Sequence, residues 1–146
     1  MNTKILIEKV INSGVLIKEL IDMPRGGASN KDLEASEARI GTKIDGGLKE
    51  LLRSYNGANL DVIRFYSCDR LEATKHGLLF ADDPSGFIYY IDDSGVVICE
   101  DTDGGNINEI ASSVTDFIHS YLFGKRSAEF AGKEYHRDLI KAGIAT

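Results

Sequence analysis

Between His76 and Gly124 the chain carries no lysine and no arginine, yet it holds nine acids: Asp82, Asp83, Asp92, Asp93, Glu100, Asp101, Asp103, Glu109 and Asp116. The remaining residues hold all 17 bases against 14 acids. With a formal net charge of -6 over 146 residues, nucleic acid and anionic membrane are poor electrostatic partners, and a basic protein is a better one. Long uncharged apolar runs are also missing, since no window approaches the roughly 18 residues of a membrane span. The N-terminal MNTKILIEKVINSGVLIKELIDM is apolar but interrupted by Lys4, Glu8, Lys9, Lys18 and Glu19, which breaks the uncharged core that a secretory signal needs. A cytoplasmic location is the expectation.

Cysteine is scarce. Cys68 and Cys99 form no CxxC or zinc-type spacing, and each lies beside apolar strand-like residues, as packed reduced thiols do. His76, His119 and His136 are scattered without an HxxxH or HExxH pair, so no metal site is expected. An EF-hand loop starting at Asp101 would put Gly105 fifth and Ser112 twelfth, where oxygen ligands are required. An irregular cation site in the acidic loop stays open, because oxygen ligands need no fixed spacing.

Nucleophilic signatures are absent too. Ser85 sits in PSG without a GxSxG elbow, Cys68 has no recognisable histidine partner, and RGGAS and DGGN match neither GxxxxGK(S/T) nor GxGxxG. The carboxylate pairs Asp82/Asp83 and Asp92/Asp93 suit acid–base work or the metals of a nuclease, but adjacent acids at strand ends are more commonly solvated turn residues. No catalytic residue and no cofactor is expected.

What is present is the pattern of one domain over residues 1–146, a length able to bury a core without staples. Thr3 to Ile11 reads as an amphipathic helix capped by Asn2 or Thr3 and closed at Gly14. Val15 to Met23 places Leu16, Leu20 and Met23 on one helical face before Pro24 stops it. Ser29 or Asn30 opens a helix through Arg39, closed by Gly41. Asp45 caps GGLKELLRSYNG, whose Leu48, Leu51, Leu52 and Tyr55 form one buried stripe, with Asn56-Gly57 as its C-cap.

Strands are expected at Leu60 to Tyr66, Leu78 to Ala81, Phe87 to Ile91 and Val96 to Glu100. The last two form a hairpin through DDSG, apolar on both faces and so expected to be covered on both. The loop EDTDGGNINE leads into a helix carrying Val114, Phe117, Ile118, Tyr121 and Leu122, with Ser113 and Asp116 as a capping box and Gly124 at its end. One more short helix is expected around Tyr135 to Ile140.

The segment IGTKIDGGLKELLRSYNG resembles the lG-x-x-LP-x-x-(l/y)k-x-l-(l/y)-x-x-NG segment of the SUKH superfamily, the Smi and Knr type domain. The later ADDPSGFIYYIDDSGVVICEDTD and IASSVTDFIHSYL are similar to the family's turn, hairpin and closing helix, so the resemblance spans residues 33 to 122. Gly41, Leu48, Leu51, Asn56, Gly57, Gly86, Val97, Ala111 and Phe117 stand where the pattern has its characteristic types. Ile44-Asp45 replaces the usual Leu-Pro, Gly86-Phe87 replaces Gly-Asp, and the family's common tryptophan is absent.

The resemblance implies an α+β fold, a SUKH-like antiparallel sheet of about four to six strands packed by helices at both termini and between. It also implies a non-enzymatic binding module, in many members a bacterial immunity protein that neutralises a cognate polymorphic toxin, often a nuclease. The charge agrees, because a nuclease is basic toward phosphates and its inhibitor profits from an acidic face. The expected partner is a basic toxin protein, with Asp82, Asp83, Asp92, Asp93, Glu100, Asp101 and Asp103 as contact residues. A regulatory or scaffolding SUKH-type domain with another host protein partner is the alternative.

Overall fold

The structure, a computed structural model, describes residues 1–146. Its N-terminal half is built on locally encoded helices. Asn2 accepts from the Ile5 amide and opens α1, Thr3–Ser13, which ends at Gly14. A full capping box opens α2, Asn30–Ile40: the Asp32 amide donates to the Ser29 hydroxyl and the Ser29 amide to the Asp32 carboxylate. Ser29→Ala should therefore lower stability by about 1 kcal/mol, read as a smaller urea midpoint at unchanged m-value. Asp45 accepts from Gly47 and Leu48 and opens α3, Gly46–Ser54. Leu48, Leu51 and Leu52 are fully buried there, each worth about 2 kcal/mol of transfer free energy.

Tyr55 closes α3, so Asn56-Gly57 is not its cap. Asn56 instead accepts from the Cys68 amide, tying two loops together. The loop after Pro24 is pinned to the end of the same helix, with the Ala28 amide donating to the Leu52 carbonyl. A Cβ on Gly27 would lie 1.7 Å from the Arg53 carbonyl oxygen, so only glycine passes there.

Eight strands form one antiparallel sheet, more than the four to six expected. They are β1 Ile21–Asp22, β2 Ala58–Leu60, β3 Arg64–Phe65, β4 Glu72–Thr74, β5 Gly77–Asp82, β6 Phe87–Ile91, β7 Val97–Asp101 and β8 Ile107–Ala111. Their order is β1-β2-β3-β5-β6-β7-β8, with β4 alongside the first half of β5. The helix expected over Val15 to Met23 is a 3-10 turn at Lys18–Leu20 followed by β1. Leu16 is buried in the core and Met23 packs against it, but Leu20 stays exposed, as does Ile17, so the three stripe residues do not share one buried helical face. The single strand expected over Leu60 to Tyr66 is a tight hairpin: Asn59 accepts from the Asp61 amide, and Asp61 turns the chain at φ 70°. Part of the expected acidic loop is β8, which pairs with β7.

The C-terminal third begins with α4, Val114–Asp116, which runs directly into a π-helical turn at Phe117–Leu122. Ser113 accepts from the Asp116 amide as expected, but Asp116 returns its bond to Ser112 and not to Ser113. Two helices follow instead of one, α5 Ser127–Ala131 and α6 Lys133–Lys141. Arg126, just before α5, donates to the Ile110 carbonyl, which blunts the free edge of β8.

The core lies between the helices and one face of the sheet. Phe117 is the centre of its aromatic cluster, at 5.8 Å from Phe80, 5.1 Å from Tyr89 and 5.8 Å from Tyr121. Leu78, Phe80, Ala81, Tyr89, Ile91, Val97 and Cys99 face it from the strands. Leu79, Ile88, Tyr90 and Ile98 point the other way and stand outside that core cluster. The β6–β7 hairpin is thus covered on one face only, against the expectation of two.

Candidate functional site: the acidic turns and the open sheet face

The seven expected contact acids do not gather in one patch. Asp82, Asp83, Asp101 and Asp103 flank the turns at one end of the meander, whereas Asp92 and Asp93 occupy the opposite end, beyond β6. Five strand residues separate the two groups by roughly 17 Å at about 3.4 Å each.

Most of these acids also hold the fold. The pattern Asp-x-(Ser/Asp)-Gly recurs three times, at Asp83–Gly86, Asp92–Gly95 and Asp101–Gly104. In each, the leading aspartate accepts from the amide two residues on: Ser85 at 2.9 Å, Ser94 at 2.8 Å and Asp103 at 3.0 Å. These are Asx turns, which favour Asp at the first position for this bond. Asp83 and Asp92 also accept from the amides of Phe87 and Val96, and Asp83 takes the Tyr89 hydroxyl at 2.6 Å. Gly95 turns the β6–β7 hairpin at φ 84°.

Asp82 has a base beside it in space that the sequence does not show nearby. Arg64 Nε donates to it at 3.0 Å, a second guanidinium nitrogen pairs with its other oxygen, and the Tyr66 hydroxyl donates at 2.8 Å. Burial, and then the bond to Asp82, pushes the Tyr66 phenol up to about 12. Glu100 accepts the Tyr90 hydroxyl at 2.6 Å. Only Asp93 and Asp103 among the seven have exposed side chains that accept no hydrogen bond.

Nothing here assembles a catalytic constellation. Asp82 and Asp83 point at different partners, one at Arg64 and Tyr66 and the other at turn amides and Tyr89. No group of three or more His, Cys, Asp or Glu is placed to hold a metal ion. His119 contacts the Thr3 hydroxyl and His136 that of Ser127, while His76 lies edge-on to Tyr90. Both cysteines are buried and unpaired, and burial pushes the Cys99 thiol up to about 11, away from thiolate chemistry.

The register assembles a surface that the sequence reading missed. Residues directly opposite in an antiparallel sheet share a face, so two rows cross the open side. One runs Glu72, Leu79, Tyr90, Ile98, Glu109, and the other Arg64, Asp82, Ile88, Glu100, Ile107. The signal lies in FIYYI and VIC, whose apolar residues fall on both faces: one set is buried in the core and the other lines the open side.

An antiparallel sheet with helices gathered on one face and a second face left open defines an α+β class of domain. Residues 27–120, from the loop before α2 into the π-helical turn, match the SMI1 / KNR4 family (SUKH-1). The chain belongs to that family. No curated protein matches the chain. The matched span holds every strand except β1 and leaves out α1, α5 and α6. No helix is long and apolar enough to cross a membrane.

Proposed function

We propose that the chain is an immunity protein, a binding module without enzymatic activity that neutralises a cognate toxin by direct contact with a basic domain, a nuclease domain in particular. Membership of the SMI1 / KNR4 family (SUKH-1) supports a protein-binding role. The observation that carries the choice of partner is the segregation of charge: the nine acids from Asp82 to Asp116 lie in a stretch without lysine or arginine. A phosphate-binding toxin carries the opposite sign, and opposite fields speed encounter and suppress wrong partners.

Co-expression with the product of the adjoining gene tests this reading, scored by rescue of growth and by co-purification. The expected complex is tight, and its association rate falls at least tenfold between about 50 and 500 mM salt, while dissociation changes little. A chain that neither rescues nor co-purifies with that product is not its immunity protein.

A further inference from the structure

Large apolar side chains on a sheet face that no helix covers need a reason, because soluble domains seldom leave contiguous apolar surface open. On this face Leu79, Ile88 and Ile98 are half-buried, and Ile107 is 41% exposed at the edge. Tyr90 lies among them, buried by contact with His76 and the bond to Glu100. Four acids, Glu72, Asp82, Glu100 and Glu109, share the two rows with these residues, against a single base, Arg64. Arg64 is spent on Asp82, so Glu72, Glu100 and Glu109 have no cation beside them in either row.

We infer that this open face, centred on Ile88 and Ile98 over the buried Tyr90, is the surface that docks the toxin, and that the partner presents an aliphatic or aromatic anchor flanked by lysine or arginine. The inference rests on the immunity reading above and adds to it the place of contact. Five strands at about 4.8 Å spacing make the face roughly 20 Å wide, which suits the centre of an interface of about 800 Å² per partner. Apolar residues inside a polar rim are the arrangement in which binding free energy concentrates.

Charge selects the occupant. A second copy of the chain meeting this face about a two-fold axis would bring the acidic face with Glu72, Glu100 and Glu109 onto an identical acidic face, and like charges brought together at an interface are repelled. A basic partner turns the same acids into attractions. The turn acids Asp92 and Asp93 lie beyond the end of β6 and are not part of this contact.

Surface plasmon resonance with the purified product of the adjoining gene as probe tests the assignment, on the full chain and on Ile98→Lys, Glu109→Lys and Asp93→Lys. Ile98→Lys should weaken binding by 30-fold or more, in the range of central contact residues, and Glu109→Lys, a charge reversal at the rim, should weaken it about tenfold, mainly through slower association. Asp93→Lys, at the far turn, should change it less than threefold. Ile107→Lys, at an exposed edge position, carries the same expectation and replaces Ile98→Lys if that variant loses its cooperative melt. Loss confined to Asp93→Lys, with the face variants unaffected, overturns the face and leaves the immunity reading standing. No binding by the unmodified chain overturns the immunity reading and this partner with it. A dimer that Ile98→Lys turns into a monomer, with probe binding unchanged, gives the face to a second copy and overturns the inference.

Discussion

Phe117→Ala should cost about 3 to 5 kcal/mol, the range for removing a fully buried aromatic ring, and should lower the urea midpoint without changing the slope of the transition. Phe117 has no exposed surface and touches three rings, Phe80 of β5, Tyr89 of β6 and Tyr121 one turn on. It sits where α4 passes into the π-helical turn, so its ring joins the closing helix to the middle of the sheet. Alanine there leaves a cavity whose walls are two strands and a helix, none of which moves without breaking pairing. Since domains of this size are stable by about 5 to 15 kcal/mol, the loss is a large fraction of the total. Phe130→Ala is the comparison. Phe130 is half-buried on α5 beside Tyr121 and Tyr135, outside the span shared with the family, and its removal should cost about half as much or less. Equal costs at the two positions would mean that the terminal helices are as central to stability as the sheet.

The parts of this architecture that could be read directly from the chain are those decided within a few residues. Asn2, Ser29 and Asp45 cap their helices through bonds to amides two or three positions away, and the β6–β7 hairpin follows from Asp92 and Gly95 in its turn. The parts misread are those decided at a distance. Ile21 extends because it pairs with Leu60, and Ile107 to Ala111 extend because they pair with β7, although INEIA has weak strand propensity of its own. The missed reversal at Asp61 did have a local sign, the Asn59 side chain that accepts from its amide.

The acids divide along the same line. Charge alone treats Asp82, Asp83, Asp92, Asp93, Glu100, Asp101 and Asp103 as equivalent, but the turn pattern already separates Asp83, Asp92 and Asp101 from the rest. Asp82 is neutralised by Arg64, 18 residues earlier, through the pairing of β3 with β5. Glu109 and the apolar rows of the open face required the register of five strands. A stretch whose acids first suggested one sticky surface therefore has two jobs: aspartates at its turns shape the sheet, and glutamates on its strands border the open face.

Asp83 separates those jobs most sharply, and Asp83→Ala should destabilise the protein by about 3 kcal/mol. One carboxylate oxygen accepts from the Ser85 and Phe87 amides, and the other accepts the Tyr89 hydroxyl at 2.6 Å. Tyr89 is 1% exposed, and burial, reinforced by Asp83, holds its phenol neutral well above the usual tyrosine range. Alanine strands that hydroxyl without an acceptor and frees the turn amides. A bond to a charged acceptor is worth about 1.5 to 3 kcal/mol, and an unpaired buried donor costs about 1 to 3. Asp83→Asn keeps an oxygen for the amides and a polar group for the phenol, and should cost about 1 kcal/mol. In a double-mutant cycle, Tyr89→Phe should recover part of the Asp83→Ala loss, because no unpaired hydroxyl remains; a coupling of about 1 to 2 kcal/mol is expected for groups in direct contact. If Asp83 builds the turn and does not touch the partner, Asp83→Asn binds the toxin domain within threefold of the unmodified chain despite its lost charge. A tenfold loss with the stability retained would return Asp83 to the interface and extend the contact from the open face around the β5–β6 turn.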